Sequence, residues 1–498
     1  MRRLVSLAAT TALLSACTVG PSYDGPPPVG SAATQRGHFA RAGDAALVAA
    51  PGVARWWEGL GDPTLTRLVD EALAQSPQVE IAQGRIREAR AKLDQGRANL
   101  LPNISATAIY AHARLPGTGI GNSDSGSGED NGGDDASAVN FYNIGATASW
   151  EPDIFGAGRR RVSAARATVE QRYADLADAQ VALSAQVAQT YVNLRDAQER
   201  TRLNALSSEK QRRSLDLTRQ RYAAGTASRL MVERLQTQKE STDAQNIPLS
   251  AQVAMYKDAL AVLTGRVPGE LDAMLGDSGP VPAPPAQVPI GDPAALIAQR
   301  PDIRSAERAL AASTENIGVQ KARMFPGISF TGILGLGGTR PGDVFDPDKL
   351  AALLIPQLMW PILDFGRIKG AVREAEGQRD TAQGQYRQTV LAALQNAEDS
   401  LARFGATRQQ LAGLIRSQRS AGIAATLNRQ RFEAGTSTLI DQLDIERQEL
   451  SAISAVSQAR AQLTIDYIAV QKALGLGWTA PDGGQKSQDV VERGQGGQ

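Results

Sequence analysis

The side chains that most often carry out catalysis are scarce in this sequence. The only histidines are His38 and His112, and neither has the neighbours needed for a catalytic triad or a zinc site. No P-loop pattern occurs, and the glycine cluster Gly335-Leu-Gly337-Gly338 lies in a strand-like segment rather than at a strand-to-helix turn. These observations argue against an enzyme and predict no catalytic residue, resident metal or bound organic cofactor.

Carboxylates are the other groups whose spacing is suggestive. Asp441 and Asp444 are three residues apart, which places them on nearly the same face of a helix. Taken by themselves, two solvated helix residues are the simpler interpretation. A second acidic group lies in 117–138 without a single Lys or Arg, and it comprises Asp124, Glu129, Asp130, Asp134 and Asp135. It lacks the full EF-hand pattern, so a solvated loop is favoured over a calcium site.

Cys17 is the one cysteine, so no internal disulfide is possible. Arg2 and Arg3 precede a short apolar stretch that ends in Leu14-Ser-Ala-Cys17. A basic start, a brief apolar stretch and small residues before a cleavage point indicate an export signal over 1–16. Leu-Ser-Ala-Cys also resembles a bacterial lipobox, which implies diacylglycerol and an N-acyl chain on Cys17. The alternative is an ordinary signal peptide with a chance cysteine.

The overall composition narrows the class of protein further. The chain has 498 residues, 42% of them hydrophobic, and a net charge of +1, which argues against nucleic acid as a partner. After the N-terminus, no apolar run reaches the roughly 18 residues that a membrane-spanning helix needs. A membrane protein built from strands stays possible, because alternation dilutes its apolar residues.

An internal repeat is the most informative feature. Leu217-Thr-Arg-Gln-Arg-Tyr-Ala-Ala-Gly-Thr226 is echoed by Leu427-Asn-Arg-Gln-Arg-Phe-Glu-Ala-Gly-Thr436. Upstream, Leu-Pro102 is echoed by Phe-Pro326 at an offset of 224, and Phe155-Gly156 by Phe365-Gly366 at an offset of 210. The first repeat therefore carries about 14 more residues between these points, and the acidic stretch accounts for them as a surface loop.

Each repeat combines long helical segments with short strand-like ones. Residues 159–224 contain neither Gly nor Pro, and at 1.5 Å per residue they could extend roughly 100 Å. Apolar residues at heptad-like spacing, such as Leu183, Val187 and Leu194, indicate coiled-coil packing. A plain soluble bundle would show the same periodicity.

Four segments of about ten residues have the pattern of β-strands, with either alternating apolar and polar residues or a continuous apolar run. They are 103–113, 140–150, 327–337 and 351–361. That is the length of a tilted membrane strand. Four strands cannot close a barrel alone, so strands in a membrane would have to be shared between several chains. A small soluble sheet is the alternative.

These features predict the following organisation. A signal peptide (1–16) precedes an extended, lipidated arm (17–54), a first repeat (55–270), a Pro-rich linker (271–291), a second repeat (292–476) and a disordered tail (477–498). Each repeat should contain a helix, two strands, a long helix, a tight turn and a returning helix. The turns are expected at Ala224-Gly225-Thr226 and Ala434-Gly435-Thr436, where glycine suits a helix end and threonine can cap the next helix.

Several stretches in this order resemble the outer membrane factor family, the ducts of the TolC and OprM type, and in particular its lipoprotein branch (NodT-like). They are Cys17-Thr-Val-Gly-Pro-Ser-Tyr23, Trp56-Trp57, Gly61-Asp-Pro-Thr-Leu65, Arg300-Pro-Asp-Ile303, Phe325-Pro326, Asp364-Phe-Gly-Arg367 and the two Ala-Gly-Thr turns. The likeness spans nearly the whole mature chain.

The resemblance implies a mainly α fold with a membrane β-barrel. Four strands from each protomer of a homotrimer would share one 12-stranded barrel in the cell outer membrane, and long antiparallel helices would form a tunnel through the periplasm. The implied function is the exit duct of a tripartite efflux system that passes drugs, other toxic compounds or metals. Its partners would be outer-membrane lipids, a periplasmic adaptor (membrane fusion) protein and an inner-membrane pump of the RND type. A type I protein secretion duct and a non-pore periplasmic coiled-coil lipoprotein are the alternatives.

The resemblance also assigns a gate at the turn of the second repeat. Asp441 and Asp444 match the family's paired aspartates, and in a trimer they would form two rings of carboxylates, which favour cations. Phe432 stands in place of a gating tyrosine and Ser437 in place of an arginine that locks the closed state, so Arg429, Arg431 and Arg447 are alternative candidates for that lock. The adaptor would contact the turns at Gly225, Thr226, Gly435 and Thr436. The first repeat has Met231 and Arg234 where the second has the aspartates.

Overall fold

The computed structural model describes residues 18–115 and 137–478. Cys17 and the export signal, nearly all of the acidic stretch 117–138, and the tail from residue 479 onward lie outside the described residues. The predictions made for them are therefore not addressed by the fold.

The two repeats fold into matching series of elements. In the first repeat these are α2 (Pro63–Gln75), α3 (Pro77–Ala98), β2 (Asn103–Leu115), β3 (Ser137–Trp150), α4 (Ala157–Ala223) and α5 (Arg229–Leu263). In the second they are α6 (Pro293–Gln299), α7 (Pro301–Ala322), β5 (Gly327–Gly338), β6 (Leu350–Met359), α8 (Arg367–Glu433) and α9 (Leu439–Ala473). The long helices α4 and α8 have 67 residues each, and α5 and α9 have 35 each. The described chain is thus mainly helical.

The segment before the repeats is not wholly extended. It contains a short helix α1 (Ser31–Arg36) and a two-residue strand β1 (Leu47–Val48). β1 pairs in parallel with β4 (Val288–Pro289), which lies in the Pro-rich linker between the repeats. Neither short element has enough periodic sequence to be recognised from its pattern alone.

The main sheet contains four antiparallel strands in the order β2-β3-β5-β6. The hairpin β2–β3 pairs Asn103 with Ser149, and the hairpin β5–β6 pairs Gly327 with Met359. β3 and β5 join the two hairpins, with Trp150 opposite Phe330. Among the described residues, none of the helices combines the length and the apolar character that a membrane-spanning helix requires.

A tryptophan fixes the end of each hairpin to the helix that precedes it. The Trp150 indole N–H donates to the carbonyl of Leu100 at 3.0 Å, and the Trp360 indole N–H donates to the carbonyl of Met324 at 3.2 Å. The two bonds are equivalent under the sequence repeat. Each accounts for a carbonyl left without a partner near a helix C-terminus.

The described chain divides into two compact units, and the sheet belongs to the first, which comprises the described residues of 18–25, 88–169 and 308–383. Its helical part contains a buried ion pair in which Arg160 Nη1 lies 2.8 Å from Glu315 Oε2. The same guanidinium donates to the carbonyl of Gly20, which anchors the N-terminal arm. A Cβ on Gly20 would lie 2.5 Å from the Cα of Gly318, so the close approach of the two backbones requires glycine.

The second unit comprises residues 26–87, 170–307 and 384–478, and it contains the large hydrophobic core. Trp56 and Trp57 lie in that core with their rings edge to face at 5.7 Å. The hydroxyl of Tyr467 donates to the carbonyl of Trp56 at 3.2 Å. The paired tryptophans singled out in the sequence therefore have a packing role.

Two other motifs that carry the family resemblance cap helices and connect them to other elements in this unit. Asp62 accepts hydrogen bonds from Thr64 and Leu65 at the start of α2, and also from the Tyr191 hydroxyl at 2.7 Å. Burial and the Asp62 carboxylate raise the pKa of Tyr191 to about 12, so its hydroxyl stays protonated and donates. Arg300 binds Asp302 at 2.6 Å and also donates to the carbonyl of Ala473.

Candidate gate at the helical turns

The two helical turns have the same backbone conformation. Gly225 and Gly435 both lie in the left-handed region, with φ of 75° and 73°, where glycine avoids the strain of a side chain. The N–H of Thr226 donates to the carbonyl of Arg221 at 2.8 Å, and the N–H of Thr436 donates to that of Arg431 at the same distance. All four residues predicted as adaptor contacts thus lie at exposed helix C-termini.

The caps of the returning helices differ between the repeats. Ser228 caps α5, and its hydroxyl accepts a hydrogen bond from the N–H of Met231. Thr438 caps α9 in a complete capping box: its hydroxyl accepts from the N–H of Asp441 at 3.1 Å, while the Asp441 carboxylate accepts from the backbone N–H of Thr438 at 3.3 Å. The same carboxylate also accepts from the Thr438 hydroxyl at 2.6 Å. Asp441 therefore has a structural role at the start of α9, alongside any role in a gate.

The surroundings of Asp441 favour its ionised form. The hydrogen bond from the Thr438 hydroxyl lowers the pKa of Asp441, and the backbone N–H of Thr438 and the charge of Arg431 act in the same direction. The side chain is exposed, so water screens its charge. At neutral pH the carboxylate is charged, as a cation-favouring ring would need.

Asp444 lies one helical turn further along α9 and is also exposed. Its carboxylate pairs with Arg447, whose Nη2 is 3.1 Å away. Of the three arginines proposed to hold the closed state, Arg447 thus contacts a predicted gate carboxylate. Arg431 instead donates to the carbonyl of Thr436 in its own turn.

Phe432 and Ser437, the two departures from the family pattern, lie on either side of the second turn. Phe432 is half-buried, and its carbonyl accepts from the N–H of Gly435. The Ser437 hydroxyl donates to the Asn428 side-chain carbonyl at 2.8 Å, so it faces the neighbouring helix.

That contact begins a chain of polar side chains that the sequence did not reveal. The Asn428 amide donates to Gln442 Oε1 at 2.8 Å, and the Gln442 amide donates to Glu446 Oε1 at 2.7 Å. Asn428 and Gln442 are both buried. We call Ser437, Asn428, Gln442 and Glu446 the polar chain; it links α8 to α9 just behind the second turn.

The first repeat has no buried equivalent of the polar chain; there the Arg219 guanidinium donates to Gln236 Oε1 at 2.8 Å at an exposed position. At the matching positions it carries Ala227, Thr218, Val232 and Gln236. A signal was present in the sequence, because the polar residues Ser437 and Gln442 stand where the first repeat has Ala227 and Val232. Recognising it required knowing which helix faces meet.

The hairpins α4–α5 and α8–α9 border a groove with a volume of about 290 Å³. The first hairpin contributes Lys210 and Gln238 among others, and the second contributes Arg429, Glu446 and Arg447. Arg429 and Arg447, which were predicted to lock the closed state, therefore face the other hairpin of the same protomer. The groove between the two hairpins is polar.

Comparisons with known proteins show which proteins this chain resembles. A family model described as outer membrane efflux protein matches residues 68–266 and 293–476, one stretch for each repeat. Nodulation protein T of Rhizobium leguminosarum bv. trifolii is 28% identical over 94% of this chain and 96% of its own length. The antibiotic efflux pump outer membrane protein ArpC of Pseudomonas putida is 29% identical over 99% of this chain and 100% of its own length.

Solved structures agree with the sequence relatives. The outer-membrane channel OprN superposes with a TM-score of 0.84 at 31% identity, covering 93% of this chain and 100% of that chain. The open state of the MtrE outer membrane channel of Neisseria gonorrhoeae gives a TM-score of 0.77 at 26% identity, covering 93% and 98%. The repeated helix-and-strand series, the matched stretches and these likenesses lead to one conclusion: the chain belongs to the outer membrane efflux protein family.

Proposed function

We propose that three copies of this chain form one passive exit duct, with each copy contributing its four-stranded sheet to a shared twelve-stranded barrel in the outer membrane. The chain's role as the outer-membrane channel of a tripartite efflux system follows from its family and its relatives. The trimer and the shared barrel are our proposal.

The observation that carries this proposal is the open sheet. Among the residues that the structure describes, its outer strands β2 and β6 each lack a neighbour on one side. Strand β6 also has exposed apolar side chains, among them Leu353, Leu354 and Leu358. Unpaired backbone groups are costly in lipid, so a sheet with an apolar surface needs further strands from other copies to close it.

The proposed cargo is a small molecule that an inner-membrane pump of the RND type delivers through a periplasmic adaptor. Relatives of this chain are described as exporting antibiotics or pyoverdine. We propose that the adaptor contacts the exposed turns at Gly225 and Gly435, which have the same backbone conformation in both repeats.

We further propose that acyl chains on Cys17 tether the arm to the outer membrane. At about 0.8 kcal/mol per buried methylene, two or three chains hold a protein firmly. Because the barrel itself would anchor the protein, Cys17→Ser with an ordinary signal peptide should still reach the outer membrane as trimers. Fractionation and unheated gels test this, and complete loss of membrane trimers would contradict it.

The gate is proposed at the second turn, where Asp441 and Asp444 of three copies would form two stacked rings. Phe432 would narrow the same constriction. Support comes from the exposure of both carboxylates and from the low pKa of Asp441, which keeps one ring charged.

Planar-bilayer recording of the purified protein tests the duct directly. We expect a small, mostly closed, cation-preferring conductance from particles whose native mass is that of three chains. Absence of any channel from protein shown to be folded would contradict the duct and favour a periplasmic tether.

A further inference from the structure

The two edge strands, β2 and β6, are where copies of this chain would meet. This inference rests on the proposed trimer and adds the residue-by-residue register of that meeting. The starting point is the junction β3–β5, where the second strand of one repeat pairs with the first strand of the other. A contact between β6 of one copy and β2 of the next joins the same two kinds of strand.

The repeat relates the two hairpins without any slip in register. Asn103 pairs with Ser149 in the first hairpin, and the offsets of 224 and 210 convert this pair into Gly327 and Met359. Gly327 and Met359 are indeed paired in the second hairpin. The offsets found in the sequence therefore map the sheet residue by residue, and the junction β3–β5 can serve as the template for the junction between copies.

We infer that β6 pairs antiparallel with β2 of the next copy so that Leu358 lies opposite the partner's Ala108. The template is Ala148 opposite Gly332, shifted by the two offsets. The same shift turns Trp150–Phe330 into Trp360 opposite the partner's Ala106.

The alternation of the strands is consistent with this register. In all three described junctions, even-numbered residues lie opposite even-numbered ones. The inferred pairs keep that parity, so each face of the sheet continues unbroken into the next copy. A slip of one residue would turn every side chain of the neighbour to the wrong face.

Side-chain size also fits. Leu358 and Trp360 are bulky and exposed, and the residues opposite them, Ala106 and Ala108, are small. Large side chains therefore lie beside small ones across the inferred junction, as close packing requires.

An aromatic contact just outside the sheet follows the same correspondence between the two repeats. Phe155 stacks on Phe325 with ring centroids 4.8 Å apart, which joins the two repeats within one chain. The counterparts of these residues are Phe365, which is 92% exposed, and Leu101, which is 66% exposed. The register places Phe365 against Leu101 of the next copy, where each covers the other.

Disulfide cross-linking in a Cys17→Ser background tests the register. The test variant combines Leu358→Cys with Ala108→Cys, and a second combines Gln357→Cys with Ile109→Cys, because adjacent pairs in an antiparallel ladder alternate between wide and narrow spacing. The matched controls combine Leu358→Cys with Ala106→Cys or with Tyr110→Cys. A displacement of two residues adds about 7 Å along the strand, beyond the reach of a disulfide.

We expect oxidation to link at least one test pair into covalent dimers and trimers on denaturing gels, at least about tenfold more efficiently than either control. Efficient linking of a displaced control would overturn the register. Trimers seen by native mass spectrometry without links in either test pair would also overturn it, while leaving the proposed duct intact. Absence of trimers from the Cys17→Ser parent would instead contradict the proposed function itself.

Discussion

The two helical turns have the same backbone conformation but differ in the chemistry of their side chains. Both have a left-handed glycine, the same hydrogen bond from threonine to the carbonyl five residues earlier, and a hydroxyl cap on the returning helix. Only the second has a carboxylate in its cap and a buried polar chain linking its helices.

This difference separates two roles. Whatever depends on the shape of the turn, such as docking of an adaptor, is available to both repeats. Whatever depends on a carboxylate in the cap and on the polar chain, such as the proposed gate, is available only to the second. The substitutions below test that division, from the largest expected effect to the smallest.

Replacing the glycine of either turn with tryptophan should abolish efflux while trimers persist. A Cβ added at Gly225 or Gly435 would meet open space, so the bulk would obstruct a partner rather than the fold. Gly435→Ala is the control, because it shares the backbone strain of about 1–2 kcal/mol without the bulk. Drug susceptibility and unheated gels are the measurements; normal resistance in Gly435→Trp would exclude docking at this turn.

Asn428→Leu should destabilise the second hairpin by about 1–3 kcal/mol, because it leaves the buried Gln442 side chain without its donor. The open fraction of single channels should rise with it. Thr218→Val, at the matching position of the first repeat, should change both quantities less. Thermal unfolding of the purified protein and bilayer recordings give the answer, and equal effects of the two substitutions would remove the proposed asymmetry.

Acid should loosen the second turn selectively. The pKa of Asp441 is lowered in the folded protein, so its contribution to stability is complete above the ordinary aspartate pKa and is lost as pH falls through the lowered value. Amide exchange at Thr438 and Asp441, corrected for intrinsic rates, should therefore speed up as the pH is lowered through and below the ordinary aspartate pKa of about 3.9. Ser228 and Met231 have no carboxylate in their cap and should not respond; a parallel response would assign the effect to the protein as a whole rather than to the second turn.

Arg447→Gln should have the smallest effect. Both partners of the ion pair between Arg447 and Asp444 are exposed, and such pairs on a helix contribute roughly 0.3–0.5 kcal/mol to stability. We expect a slight change in cation preference that about 1 M salt removes, because the Debye length is then only about 3 Å. A large shift in the closed fraction would mean that Arg447 is the lock after all.

Much of the fold could be predicted from local pattern. The strand predicted at 103–113 is observed as Asn103–Leu115, and the one at 327–337 as Gly327–Gly338, because alternation and the preceding proline mark them. The heptad-spaced residues Leu183, Val187 and Leu194 are fully buried. Periodicity reports directly on which face of an element is covered.

The polar chain and the tryptophan bonds could not be predicted in this way. Asn428 and Gln442 meet only because α8 and α9 return along each other, and the indole of Trp150 reaches the carbonyl of Leu100 across 50 residues of sequence. The exposure of Asp441 and Asp444 follows from their helical spacing and charge, but the capping box of Asp441 depends on the turn geometry. Contacts between elements carry this information, and spacing along one element does not.

The most direct test of the central claim is single-channel conductance of Asp441→Asn/Asp444→Asn beside the unchanged protein and a Met231→Leu/Arg234→Gln control. If the second turn is the gate, the aspartate variant should open more often or lose its cation preference, and the control should behave like the parent. An aspartate variant indistinguishable from the parent would keep the duct but contradict a gate at this turn.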